Sequence, residues 1–236
     1  MTPKRTARLA GLLYLLVAVL GGWAHLVARA QVLDRDGATA TAAAIAEHAT
    51  EMRVAIAADL LAATAFALFG VLLHRLLVHV HARAAAMVVL GTWLSAVMTL
   101  VMLTFHAGAV LVVTDPAVHA AVGDADGLAL LLLRMQADAY TFAGVFFCLW
   151  MAPTALLVAR SGMFPRVAAP VIAAGSASWL VSAVVVGAVP ALPEAVETLL
   201  VVPATVAEVG LMLYLLVVGV RTPRVPVAVP QAAVVG

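Results

Sequence analysis

The chain has 236 residues, of which 65% are hydrophobic and 11% are charged, and its formal net charge is +1. A typical soluble domain is about 45–50% apolar and about 25% charged, so this composition excludes a water-soluble globular fold. The small net charge excludes nucleic acid as a partner, because phosphate binding needs a clustered basic face. The single cysteine, Cys148, can build neither a disulfide framework nor a thiolate metal site. We therefore predict an all-α integral membrane bundle whose partner is the lipid bilayer.

The first membrane span is predicted at residues 9–28, an apolar run that follows a short basic start. About 20 helical residues cross a ~30 Å hydrocarbon core. The alternative interpretation is a secretory signal peptide, with Ala28-Arg29-Ala30 as an A-x-A-like cleavage site. The run is longer than the roughly 7–15 apolar residues usual in such signals. We therefore expect a retained helix.

Five further spans are predicted along the rest of the chain, in a single domain over residues 1–220. The Pro- and Val-rich residues 221–236 are predicted to form a disordered cytoplasmic tail. In chain order we predict an interfacial helix at residues 39–51, spans at 53–78 and 84–113, an amphipathic lead-in at 128–137, and spans at 138–158, 167–189 and 198–220.

The distribution of basic residues predicts the orientation of the bundle. Six spans place both termini on one side, and that side collects nine basic residues and no acidic one. The positive-inside rule assigns this side to the cytoplasm. We therefore predict a multi-pass protein of the cell membrane with both termini cytoplasmic. The nine residues are Lys4, Arg5, Arg8, Arg75, Arg83, Arg160, Arg166, Arg221 and Arg224.

Five ionisable residues lie inside or at the borders of the predicted spans, all in the outer half or at the centre. Glu208 is about ten residues, or ~15 Å, from the outer end of the last span. A carboxylate at this depth costs roughly 2.5–3.5 kcal/mol even on a lenient insertion scale, so it must face protein or a wet cavity. Either it binds a ligand or proton and is protonated in at least one state, or it is a hydrogen-bonded carboxyl that holds helices together. The five candidates are Glu208, Asp59, His106, His25 and Asp138.

Two arginines are candidate partners for these acids. Arg53 and Arg134 are the expected counter-charges of Asp59. Arg134 also lies four residues before Asp138, so the two can pair on one helix face. With the five ionisable residues they define a predicted polar cavity that opens outward.

Pro203 marks a second feature of the last span, five residues before Glu208. Proline lacks the backbone N–H that would donate to the Leu199 carbonyl, so we expect a bend and a free carbonyl there.

A metal site built from His25, His106 and the two carboxylates is the enzymatic alternative, since such ligands suit zinc. The spans contain no His-x-x-His or His-x-x-x-His spacing, so four separate helices would have to converge. No nucleophile elbow, phosphate loop or dinucleotide fingerprint occurs either. We therefore expect no metal, no cofactor and no catalytic residue.

Several stretches occur in a distinctive succession: RLAGLLYLL at residues 8–16, RVAIAADLL at 53–61, VFF at 145–147, RSGMFPR at 160–166, and a last segment with Pro203, Glu208 and Gly219. In this order and spacing they resemble a bacterial family of multi-pass membrane proteins, the domain of unknown function 4386. The resemblance runs from about Arg8 to Gly219. It implies a helical integral membrane fold, marks Arg53, Asp59 and Glu208 as positions of the family pattern, and implies no activity.

The leading functional hypothesis is a non-enzymatic membrane protein that binds or transports a small solute, linked to protons, with Glu208 and Asp59 lining the cavity. The first alternative is an accessory or structural subunit with a membrane-protein partner or a second copy of the chain. The second alternative is a membrane-embedded metal-dependent hydrolase.

Overall fold

A computed structural model of the protein describes residues 2–33, 37–189 and 192–221, and this part of the chain is helical with short connections. It contains six helical segments that are long and apolar enough to cross a membrane. The predicted all-α fold with six spans is confirmed. The predicted tail, apart from Arg221, lies outside the described residues.

Ten α-helices and two π-helical segments make up the described part. The first span runs through α1 (Pro3–Trp23), a first π-helical segment (Ala24–Arg29) and α2 (Ala30–Leu33). The others are α3 (Ala38–Glu47), α4 (Ala49–Leu77), α5 (Ala82–Thr114), α6 (Pro116–Ala121), α7 (Ala125–Phe142), α8 (Gly144–Ser161), α9 (Ala168–Ala188), α10 (Glu194–Leu213) and a second π-helical segment (Tyr214–Val218).

The helices extend beyond several of the predicted boundaries. The first span continues past Ala28 to Leu33, and the last begins at Glu194 rather than at residue 198. The predicted boundary between the lead-in at 128–137 and the span at 138–158 is wrong, because helix α7 continues through it and the break between α7 and α8 falls at Ala143. Hydropathy marks the apolar stretch, whereas a helix continues for as long as its backbone hydrogen bonds and packing favour it.

Side-chain caps and left-handed glycines explain where several helices begin and end. Asp115 accepts hydrogen bonds from the backbone N–H groups of α6, and Asp124 accepts one from Gly127 at the start of α7. These contacts satisfy donors that have no partner within the helix. Gly162, with φ +65°, ends α8, and Gly219, with φ +79°, follows the second π-helical segment. Only glycine adopts such angles without steric cost.

The spans pack in chain order into a closed ring. The first span packs on α4, α4 on α5, α5 on α7 and α8, α8 on α9, and α9 on α10; the second π-helical segment then returns to α1. Stacked aromatic rings fill the centre, with Tyr14 4.5 Å from Phe69 and the buried Trp150 edge-on to both. The ring therefore encloses one large apolar core.

The first and last described residues lie at the same end of the bundle, which we call the termini end. There Arg8 donates a 3.2 Å hydrogen bond from Nη2 to the Val217 carbonyl oxygen. A second, smaller core closes the opposite end, between α2, α3, α5, α7 and the start of α4. Its members include Val32, Ile45, Met52, Val110, Ala129 and Leu133. The predicted helix after the first span is confirmed as α3, which packs on α7 and α5.

Large apolar side chains cover the outside of the spans. Leu12 is 53% exposed, Leu61 60% and Leu199 69%. Water would be a poor solvent for so much apolar surface, because exposed patches of this extent drive association. The lipid bilayer is therefore the environment of the bundle.

We expect Gly91→Ala to destabilise the bundle, because a Cβ there would lie 2.6 Å from the Trp150 backbone nitrogen where α5 crosses α8. Overpacking of this kind costs roughly 1–3 kcal/mol. Gly210→Ala is the matched control, since a Cβ at that helical position meets nothing within 4 Å. Thermal unfolding in detergent should show a lower midpoint for Gly91→Ala only. Equal midpoints for both variants would contradict the close crossing.

Candidate polar site within the bundle

The first π-helical segment places Arg29 inside the protein. A π-helix closes i→i+5 hydrogen bonds and occurs often at functional sites. From this segment Arg29 reaches α4 and α5, and His25, four residues earlier, stacks on Tyr140 of α7. Arg29 is 1% exposed, so a residue that the sequence places in a loop is one of the most buried side chains in the described structure.

Arg29 forms an ion pair with Asp59 of α4 and a hydrogen bond with His106 of α5. Its Nη2 donates to the Asp59 carboxylate, and its Nε donates to His106 Nδ1 at 3.2 Å. Asp59 is 4% exposed and His106 0%. Because His106 Nδ1 accepts, the proton of a neutral imidazole must sit on Nε2.

Taking both charges out of water costs several kcal/mol per ion, and the pair persists because the two groups meet in direct contact. The His106 hydrogen bond satisfies a further guanidinium donor. One side chain thus connects three successive spans. The predicted counter-charges of Asp59 are wrong: Arg53 lies on the exposed side of α4 and donates to Thr114 Oγ1 at 2.9 Å, and Arg134 is exposed on α7.

Glu208 lies half-buried on α10 beside two aromatic residues. Trp179 of α9 donates from Nε1 to its carboxylate at 3.0 Å, and Tyr14 of α1 lies close to the same carboxylate. The ion pairs among the described residues are Arg29–Asp59 and His48–Glu51, so Glu208 faces no cationic partner there. Its carboxyl therefore depends on a neutral indole donor.

One turn earlier on the same helix, Pro203 deprives the Leu199 carbonyl oxygen of its usual backbone N–H donor. The Ser178 hydroxyl of α9 donates to the next carbonyl oxygen, that of Leu200. A neighbouring helix thus adds a hydrogen bond beside the proline, as occurs at prolines in membrane helices.

Tyr140 of α7 connects the two polar groups. Its ring stacks on His25 at 4.7 Å and meets Trp179 edge-on at 6.4 Å. It lies within electrostatic range of Glu208 on one side and of Arg29 and Asp59 on the other. The interior therefore holds a continuous line of polar and aromatic side chains from α10 to α5.

Four buried side-chain polar atoms have no hydrogen-bond partner within the described ranges. They are His25 Nδ1, His106 Nε2, Gln136 Oε1 and, in the aromatic core, Trp150 Nε1. The Met52 backbone lies close to His106 but outside hydrogen-bond geometry. Gln136 donates from Nε2 to the sulfur of Met102, which is one turn from His106 on α5. Orphaned groups of this kind are expected where a water or a polar ligand completes the contacts.

The predicted candidates thus separate into two sets. Glu208, Asp59, His106 and His25 face the interior, whereas Arg134 and Asp138 are exposed on α7 and form no ion pair within the described residues. Within those residues, no group of three or more His, Cys, Asp or Glu side chains is arranged to hold a metal ion.

A family model described as "Domain of unknown function (DUF4386)" matches residues 9–219, a range that contains every interior residue named above. The chain belongs to the DUF4386 family. No curated protein and no solved structure matches it. The suspected family resemblance is confirmed, and membership brings no activity with it.

In this DUF4386 protein, sequence reasoning missed four residues of the polar site. The predicted first span ends at Ala28 and leaves Arg29 outside it, although the spacing of four from His25 puts both residues on one face of a continued helix. Trp179, Tyr14 and Tyr140 are not among the predicted candidates. Nothing in the sequence marks these aromatics as donors, because their partners lie on other helices.

The buried ion pair predicts strong coupling between its two partners. We expect Arg29→Gln and Asp59→Asn each to lower the free energy of unfolding by about 3–5 kcal/mol, because each leaves an uncompensated buried charge. The double variant Arg29→Gln/Asp59→Asn should lose less free energy of unfolding than the two single variants lose together. Unfolding of all four proteins in mixed micelles, with increasing amounts of a denaturing detergent, measures this double-mutant cycle.

Arg53→Gln is the matched control for this DUF4386 protein, because Arg53 is an exposed arginine on the same helix as Asp59. It should change stability little. Strictly additive losses in the double variant would contradict direct contact between Arg29 and Asp59.

Proposed function

We propose that this protein binds a small polar solute inside the helical ring and links its passage across the membrane to a proton carried by Glu208. The observation that carries the proposal is the line of polar side chains that runs from the half-buried Glu208 and Tyr140 to the buried Arg29, Asp59 and His106. In keeping with the arginine-rich termini end, we place the protein in the cell membrane with both termini in the cytoplasm.

The surroundings of Glu208 suit a group that alternates between two protonation states. Low-dielectric surroundings without a cation favour the neutral carboxylic acid. The indole N–H of Trp179 favours the carboxylate, since it donates to it. The two effects oppose each other, and a half-buried carboxyl held in this balance can take up and release a proton.

The surroundings of Arg29 suit a polar solute. The guanidinium supplies several donors, and the orphaned atoms of His25, His106 and Gln136 add further donors and acceptors. A solute that carries both kinds of group would satisfy them. Its polar group can also compete with Asp59 for Arg29, which gives the ion pair two alternative arrangements.

The accessory-subunit alternative rests on the same ion pair. Arg29 bridges the first span, α4 and α5, and polar contacts of this kind hold helices together in membranes without further function. The two proposals differ in what happens at Glu208, because a purely structural carboxyl has no need to exchange protons.

Reconstituted liposomes that contain a pH-sensitive dye test the proposal. An inside-negative potential is imposed, and amino acids, sugars, organic acids and amines are added outside as separate probes. We expect at least one class to accelerate proton entry in the wild type and Glu208→Gln to reduce that acceleration at least tenfold, because glutamine cannot carry the proton.

Asp138→Asn is the matched control, since it neutralises an exposed carboxylate on α7. It should leave the proton flux unchanged. The transport proposal would be contradicted if no probe raised proton entry above that of empty liposomes. It would also be contradicted if the acceleration by a probe persisted in Glu208→Gln, and either result would favour the accessory subunit.

A further inference from the structure

An apolar groove opens on the outer surface of the bundle between α4 and α5. The groove is open, has a volume of about 520 Å³ and is lined by Val71, His74, Ala86, Val89, Leu90 and Trp93. His74 lies 15 residues beyond Asp59 on α4, or ~22 Å along the helix, so the groove is well separated from the polar site. It belongs to the half of the bundle near the termini end.

The groove has a basic mouth and an apolar floor. Arg83, Ala86, Leu90 and Trp93 are spaced by three, four and three residues, so they follow one face of α5. Arg83 is exposed and lies at the start of this stripe, one turn before Ala86, which lines the groove together with His74 of α4. Ten residues separate Arg83 from Trp93, which corresponds to ~15 Å, or half of a ~30 Å hydrocarbon core. The groove therefore matches the depth of one lipid leaflet.

The mouth of the groove favours an anion. Residues 74–83 contain Arg75, His79 and His81 besides His74 and Arg83, and they contain no acidic residue. Helix α5 begins at Ala82, so the positive end of its dipole points toward the same region. Basic pockets between spans at a membrane surface bind anionic headgroups.

We propose that this groove binds one anionic phospholipid, with an acyl chain along Ala86, Leu90 and Trp93 and the phosphate at Arg83 and His74. An acyl chain of any lipid fits the apolar floor. Only a headgroup of net negative charge gains from the basic mouth, because a zwitterionic headgroup brings its own cation. The lipid packs between α4 and α5 at a place remote from the solute site.

Tryptophan quenching by brominated lipids tests the proposal on the full chain in liposomes. Zwitterionic phosphatidylcholine forms the bulk, and a small mole fraction of either phosphatidylglycerol or phosphatidylcholine carries brominated acyl chains. Trp93 is 54% exposed, whereas Trp150 is fully buried, Trp179 is 7% exposed and Trp23 is only partly exposed, so Trp93 is the principal reporter in the groove. The quenching that is lost in the Trp93→Phe variant gives the contribution of Trp93 to the total quenching.

We expect the brominated anionic lipid to quench Trp93 several-fold more strongly than the brominated zwitterionic lipid at equal mole fraction. Arg83→Gln should abolish this preference, and Arg83→Lys should retain most of it. The matched control is Arg166→Gln, because Arg166 is an exposed arginine outside the groove, between α8 and α9. Equal quenching by both lipids in the wild type, or a preference that survives in Arg83→Gln, would overturn the proposal.

Discussion

A buried guanidinium sets the main constraint on this bundle. Arg29 lies at the centre of three packed helices with almost no exposure to solvent, and a cation in that position is tolerated only if a carboxylate and further acceptors meet it. Asp59 and His106 must therefore face the first span, which fixes how α4 and α5 are rotated about their axes. The π-helical segment is the local adjustment that turns Arg29 inward.

The same constraint relates the polar site to the apolar packing around it. The aromatic core lies on the termini side of Asp59 and the smaller core lies on the opposite side, so the ion pair sits between two apolar regions. Tyr140 extends the polar line across the ring to Glu208, whose donor Trp179 lies on α9. Helices that are distant in the sequence thus contribute to one continuous interior surface. On the outside, exposed leucine and valine side chains require lipid instead.

The sequence was sufficient for the parts of the structure that depend on local properties. Apolar runs of about 20 residues predict six spans, because both helix formation and lipid solvation act on consecutive residues. The boundary at Ala28 was wrong because an arginine does not end a helix when it finds a buried partner. The sequence identifies Glu208 and Asp59 as acids that are costly to place in a membrane. It does not identify Arg29 as the counter-charge of Asp59 or Trp179 as the hydrogen-bond donor to Glu208. Those contacts depend on helix rotation and neighbour order, which periodicity alone does not determine.

Solid-state NMR of the protein in lipid bilayers measures the contact between Arg29 and Asp59 most directly. With carbon-labelled aspartate and nitrogen-labelled arginine, the carboxyl carbon of Asp59 should be dephased by guanidinium nitrogens within ~4 Å, the range of a direct ion pair. The dephased signal should disappear in Asp59→Asn, which assigns it. Two results would contradict a bundle organised around this pair. One is the absence of such a signal in the wild type, and the other is exchange of the Arg29 guanidinium hydrogens with water as fast as in the exposed arginines.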